Sequence, residues 1–201
     1  MERDLPGVLY VKAPRGPDRR PVVFDSPHSG SEYPEDFGHA LPHTLIRRAE
    51  DAFVDELFQA APDHGAALLA ARFPRSYIDP NRSLTDMDER LLAEPWPTPL
   101  EPGAKSRRGI GLIRRTVAQT HAVYDRPLSL AEVAARIDGY YRPYHAAIRD
   151  LLDRLHGEFG RVYHVNCHSM QGGGPADFFS APALAATAGA AGTAGGAPNI
   201  G

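Results

Sequence analysis

Cysteine occurs once in this 201-residue chain, at Cys167, so no internal disulfide can form. The fold must rest on a buried core instead, which a chain of this length can build within one domain. Lysine is nearly as scarce, Lys12 and Lys105 being the only two, and arginine supplies the rest of the 22 basic residues. Against 25 acidic residues the formal net charge is −3, which leaves no global field to recruit nucleic acid or an anionic membrane. No apolar run is long enough to span a bilayer, and the N-terminal MERDLPGVLYVKAPRG lacks the cationic-then-apolar order of a secretory signal. A cytoplasmic setting is expected, with the oligomeric state left open. Function must therefore reside in specific sites.

What is present reads as alternating strands and helices. VVFDS (22–26) is an apolar strand that runs straight into Pro27, His28, Ser29 and Gly30. Apolar residues at helical spacing from Thr44 to about Ala61, with Pro62 as a stop, predict one helix carrying Asp51 and Asp55 a turn apart. GAALLAARF (65–73) predicts a second strand, and GIGLI (109–113) a third. The Pro/Gly-rich stretch 92–109 reads as a long irregular loop. Ser129 and Glu132 form a capping box ahead of a long amphipathic helix that Pro143 should kink. RVYHVNCHSM (161–170) is a further strand, again ending in a histidine, and places Cys167 in the core. The pattern is that of an α/β domain with a mixed, largely parallel sheet over residues 1–183, followed by a low-complexity Ala/Gly tail at 184–201.

In such sheets, ligand sites gather at the carboxyl ends of strands. His28 and His168 both fall there, and two imidazoles converging above a sheet are a metal-site pattern. A hydrolytic zinc site needs a third ligand. Asp51 is preferred, with Glu32 and Glu50 as alternatives. FPRSYIDPNRS (73–83) adds Arg75, Asn81 and Arg82 in a turn after a strand. Their forks and amide suit two-point binding of a carboxylate, although Arg75 or Arg82 could equally pin the loop through Asp79 or Asp86.

SPHSG with the following YP, EDAFVDELF, FPRSYIDPNRS, RRGIGLI, YYRPYH and CHSM resemble, in order and approximate spacing, the motifs of the N-formylglutamate amidohydrolase family, relatives of the zinc carboxypeptidases and aspartoacylases. The resemblance covers roughly residues 20–175. It implies a three-layer α/β/α, zinc-carboxypeptidase-like fold and a zinc-dependent hydrolase acting on a small N-acyl amino acid. N-formylglutamate would be cleaved to formate and glutamate, a late step in histidine breakdown. It further implies His28, Asp51 and His168 as metal ligands, and Asn81 and Arg82 as the pair that holds the substrate carboxylate.

Two departures accompany it. Asn166 stands where an aspartate is expected, replacing a carboxylate behind His168 with an amide. The glutamate that serves the family as general base is expected beyond Gly201, and residues 171–201 contain no glutamate. The rival expectation is thus a C-terminally incomplete, catalytically weak or silent member that keeps its metal and carboxylate pockets. A cysteine hydrolase is disfavoured, because the side chains of Cys167 and its neighbour His168 point to opposite faces of a strand.

Overall fold

The computed structural model describes residues 2–118 and 120–170; the expected Ala/Gly tail lies outside them. The chain begins with an antiparallel hairpin not anticipated from the sequence, β1 (Arg3–Leu5) and β2 (Leu9–Lys12). Its turn is chemical in origin. Pro6 presets the second position, Gly7 takes φ 73°, and the Val8 N–H donates to the Leu5 carbonyl at 3.0 Å. β3 (Val22–Ser26) follows as expected.

The single helix expected from Thr44 to Ala61 is instead broken. α1 (His43–Ile46) runs into a 3-10 turn, and α2 (Val54–Leu57) starts only after a reversal. Glu50 is extended, Phe53 adopts the left-handed conformation at φ 66°, and between them the Asp51 N–H donates to the His28 carbonyl at 3.0 Å. Tertiary pairing with the loop after β3 overrides the local periodicity, and Asp55 turns away to accept from the Tyr10 hydroxyl at 2.8 Å.

β4 (Ala67–Ala71) is buried at all five positions, as befits the centre of a sheet. α3 (Ala104–Arg107) interrupts the long loop. GIGLI is no strand: an isolated bridge joins Ile110 to Arg114, and the backbone of Leu112 bonds to residues 79 and 86. The short pair β5 (Thr116–Val117) and β6 (His121–Ala122) forms a separate ribbon. α4 (Leu130–Arg136) opens with the expected capping box. Pro143 is absorbed differently from a simple kink, by a π-helical turn at Ile137–Tyr141 that leads into α5 (Arg142–Phe159). β7 (Tyr163–Asn166) completes the main sheet.

The sheet order is β1-β2-β4-β3-β7. It is mixed but not largely parallel: β3 pairs in parallel with β4 and β7, while the N-terminal hairpin adds to β4 antiparallel. Leu155 of α5 packs on Val23 and Ala67, and a larger apolar cluster including Leu9, Leu69, Phe73, Tyr77 and Tyr144 forms the main core. Because β4, β3 and β7 run side by side in one direction, the segments leaving their carboxyl ends meet. These are the segments that carry His28, residues 75–82, and His168.

Candidate metal centre

The loop after β3 is pressed against the backbone after β4. A Cβ on Gly30 would stand 2.2 Å from the Phe73 carbonyl oxygen, so only glycine allows this approach, and the Glu32 N–H donates to the Arg72 carbonyl at 2.8 Å. His28 is thereby held 1% exposed. Its Nδ1 lies 3.1 Å from Nδ1 of His168 and 3.3 Å from Oδ2 of Asp51, and the third side of the triangle, His168 Nδ1 to Asp51 Oδ2, is 3.0 Å. The break in the expected helix is what delivers Asp51 to this point.

The outer nitrogen of His28 reveals the protonation pattern. Nε2 lies 2.7 Å from Oδ1 of Asp79, a fully buried carboxylate, so Nε2–H donates and Nδ1 presents a lone pair inward. Nδ1 of His28 and Oδ2 of Asp51 therefore present lone pairs to each other at 3.3 Å, which repel unless a proton or a cation lies between them. Donors about 2.0–2.1 Å from a tetrahedral zinc stand about 3.3 Å apart, close to the observed edges. Two imidazoles and a carboxylate are also a donor set that zinc favours. The residues fit a divalent ion.

The surroundings reinforce this arrangement. Burial alone would raise the pKa of Asp51, but the two histidines beside it and the Arg75 charge hold it at about 2. Arg75 bridges two carboxylates, donating from Nη1 to Asp51 at 3.3 Å and from Nη2 to Asp79 at 3.1 Å. The Asn81 amide lies 3.2 Å from Nε2 of His168. Asn166 does not reach His168 directly; its Nδ2 lies 3.5 Å from Oδ1 of Asn81 and 3.4 Å from Oδ2 of the buried Asp25. Arg82 approaches Asp79 at 4.0 Å and Asp86 at 3.7 Å without a hydrogen bond through its guanidinium.

A profile of the N-formylglutamate amidohydrolase family matches residues 20–199. The chain belongs to this family. N-formylglutamate deformylase from Pseudomonas putida is 28% identical over 160 residues, 76% of this chain and 53% of that protein. The enzyme of the same name from Pseudomonas aeruginosa is 29% identical over 158 residues, with the same shares. The crystal structure of N-formylglutamate amidohydrolase from Ralstonia eutropha JMP134 superposes with a TM-score of 0.79 at 49% identity, covering 82% of this chain and 58% of that one. The chain thus spans about half the length of the Pseudomonas relatives it matches.

Among the residues singled out from the sequence, His28, Asp51 and His168 come together, with Arg75 and Asn81 directly behind them. Glu32 and Glu50 do not join the triangle. Glu32 accepts from Arg72 at 2.7 Å, and Glu50 accepts from Tyr33 at 2.6 Å and from Arg47 at 3.1 Å. Two residues escaped the sequence reading. Asp79 was visible within FPRSYIDPNRS, but only as an ion-pair partner for arginine. Arg114 follows directly on RRGIGLI and carries no periodicity or motif signal of its own.

Proposed function

We propose that His28, Asp51 and His168 hold a divalent metal, zinc by the donor set, in a hydrolase of N-acyl amino acids whose substrate is N-formylglutamate. The observation that carries this reading is the triangle of two Nδ1 atoms and one Oδ2 with edges of 3.0, 3.1 and 3.3 Å. The relatives bearing the deformylase name support the substrate. A zinc-carboxypeptidase-like three-layer architecture, a cytoplasmic setting and a place in histidine breakdown belong to the same proposal.

When bound, such an ion supplies polarisation of an amide carbonyl and activation of water. The chain's own residues do the rest. Asp79 keeps the proton on Nε2 of His28 and so turns Nδ1 inward, Arg75 orients Asp51, and Asn81 steadies the outer edge of His168. Arg82, near Asp79 and Asp86 but hydrogen-bonded through its guanidinium to neither, offers its fork to a substrate carboxylate and so presents the acyl group to the cluster. Glu32 and Glu50, committed to other partners, are not assigned as the base. That role is given to the glutamate the family carries further along its sequence.

The test has two readouts. Elemental analysis of the purified chain should find about one zinc per chain, lost in His28→Ala and His168→Ala; zinc retained by both variants would overturn the metal assignment. Formate release from N-formylglutamate by the zinc-loaded chain tests the activity. Full zinc occupancy without formate release would favour the alternative, a silent member that keeps its pockets.

A further inference from the structure

The turn at 109–114 is locked onto the loop that carries Asn81 and Arg82. The Asp79 N–H donates to the Leu112 carbonyl and the Leu112 N–H to the Asp86 carbonyl, each at 2.7 Å. Leu112 and Ile113 are fully buried. Gly111 packs so closely that a Cβ there would stand 2.7 Å from the Asp86 carbonyl oxygen. Arg114 leaves this anchored turn only 9% exposed. Among the described residues its side chain makes no hydrogen bond, and its Nε is buried without a partner. Its charge interacts with those of Arg75, Arg82, Asp79 and Asp51. Burial and the guanidiniums of Arg75 and Arg82 pull Arg114 down to about 10, which leaves it charged at neutral pH.

A buried guanidinium without a hydrogen-bonded anion is costly. The nearby carboxylates are already engaged: Asp51 and Asp79 by Arg75 and His28, and Asp86 by the Gly103 N–H at 2.8 Å. Arg82, though 4.0 Å from Asp79 and 3.7 Å from Asp86, likewise makes no hydrogen bond through its guanidinium among the described residues. Two guanidiniums without a hydrogen-bonded anion, close enough for their charges to interact, are therefore held by the same anchored loops, one more than a single carboxylate needs.

We infer that Arg114 is a specificity-determining residue that receives the distal carboxylate of a dicarboxylic N-acyl amino acid, while Arg82 receives the carboxylate beside the scissile amide. The assignment rests on the hydrolase reading above. Its order follows from Asn81, the neighbour of Arg82, which touches the metal-cluster histidine His168; the α-carboxylate is fewer bonds from the acyl group than the distal one. A substrate with only one carboxylate leaves Arg114 buried and unpaired, and a polar site rejects such an analogue strongly.

Ligand-observed NMR titration of the 201-residue chain with L-glutamate and L-norvaline tests this. The two differ only in a distal carboxylate against a methyl, and neither carries a formyl group to lose, so the readout is binding rather than turnover. The parent should bind glutamate about 10- to 100-fold more tightly than norvaline. Arg114→Met should erase that preference while leaving norvaline binding intact. Arg114→Lys should restore part of it, because an ammonium keeps the charge but not the fork. Arg82→Met should weaken both ligands alike. A parent that binds neither ligand or shows no preference, an Arg114→Met that keeps it, or an Arg82→Met that alone erases it would each overturn the assignment. The parent's preference is measured without any variant, so a variant that fails to fold does not remove the test. Formate release decides the underlying reading separately: release by a chain that does not distinguish the two amino acids refutes only the role of Arg114.

Discussion

Nε2 of His28 lies 2.7 Å from Oδ1 of Asp79, whose side chain is wholly buried. Burial alone would raise the pKa of Asp79, but the His28 hydrogen bond and the charges of Arg75 and Arg114 hold it well below the usual carboxylate range. Asp79 also accepts from the Asn81 N–H at 3.0 Å, so one carboxylate ties the histidine of the loop after β3 to the segment after β4. Its role is to fix the tautomer and ring orientation of His28.

Replacing Asp79 should therefore weaken metal binding without touching a ligand. Asp79→Ala is expected to lower zinc affinity about 10- to 100-fold, and Asp79→Asn to recover part of the loss because an amide oxygen still accepts from Nε2–H. Competition against a chromophoric chelator measures both. Equal affinity in the parent and Asp79→Ala would exclude the orienting role.

Arg136 braces the segment between Arg75 and Asp79 through the Tyr77 carbonyl. It is 1% exposed and donates from Nη1 to the Tyr77 carbonyl at 3.1 Å and the Tyr124 hydroxyl at 2.6 Å, and from Nη2 to the Phe37 carbonyl at 3.1 Å. The Tyr77 ring lies under its guanidinium, 4.2 Å away. Arg136→Met fills the space but orphans three acceptors, and should cost about 3 kcal/mol in urea unfolding. A loss of under about 0.5 kcal/mol, typical of a surface substitution, would contradict this role.

Asn166→Asp restores the carboxylate expected from the family pattern, yet the structure predicts harm. The new carboxylate would lie against Oδ2 of Asp25, which now accepts from Asn166 Nδ2 at 3.4 Å. Repulsion at this partly solvated position should cost about 1 kcal/mol at neutral pH and fade as the added group protonates below about pH 4. Thermal melts across pH check the sign; a more stable variant at pH 7 would refute it.

Glu132 sets a pH dependence at the start of α4. The hydrogen bond from Arg126 outweighs burial and, with those from Ser129, lowers the carboxyl from 4.5 to about 2. A pKa depressed by folding stabilises above the unfolded value and loses that contribution as pH falls through the folded one. Glu132→Gln should thus cost about 1 kcal/mol at pH 7, with the gap to the parent closing between about pH 4.5 and pH 2. A gap that is constant over this range would show that the charge is not what stabilises the cap.

The strands β3, β4 and β7, the capping box at Ser129, and the two histidines at strand ends were legible from the sequence, because each is written in a few neighbouring residues: apolar runs, a cap spacing, a polar residue where a buried strand stops. Asp51 was preferred over Glu32 and Glu50 from the sequence, but how it reaches the two histidines needed tertiary structure. Asp51 sits in a stretch with helical periodicity, and only the pairing of its N–H with the His28 carbonyl breaks that helix and turns the carboxylate inward. GIGLI failed as a strand for the same kind of reason, since Leu112 spends its backbone hydrogen bonds on the loop at 79–86. The orienting contact of Asp79 with His28 and the burial of Arg114 were not legible because both depend on neighbours far along the chain. Sequence periodicity reports which side of an element is buried, whereas the direction of a polar side chain in a loop is decided by the hydrogen bonds and charges that the folded chain brings to it.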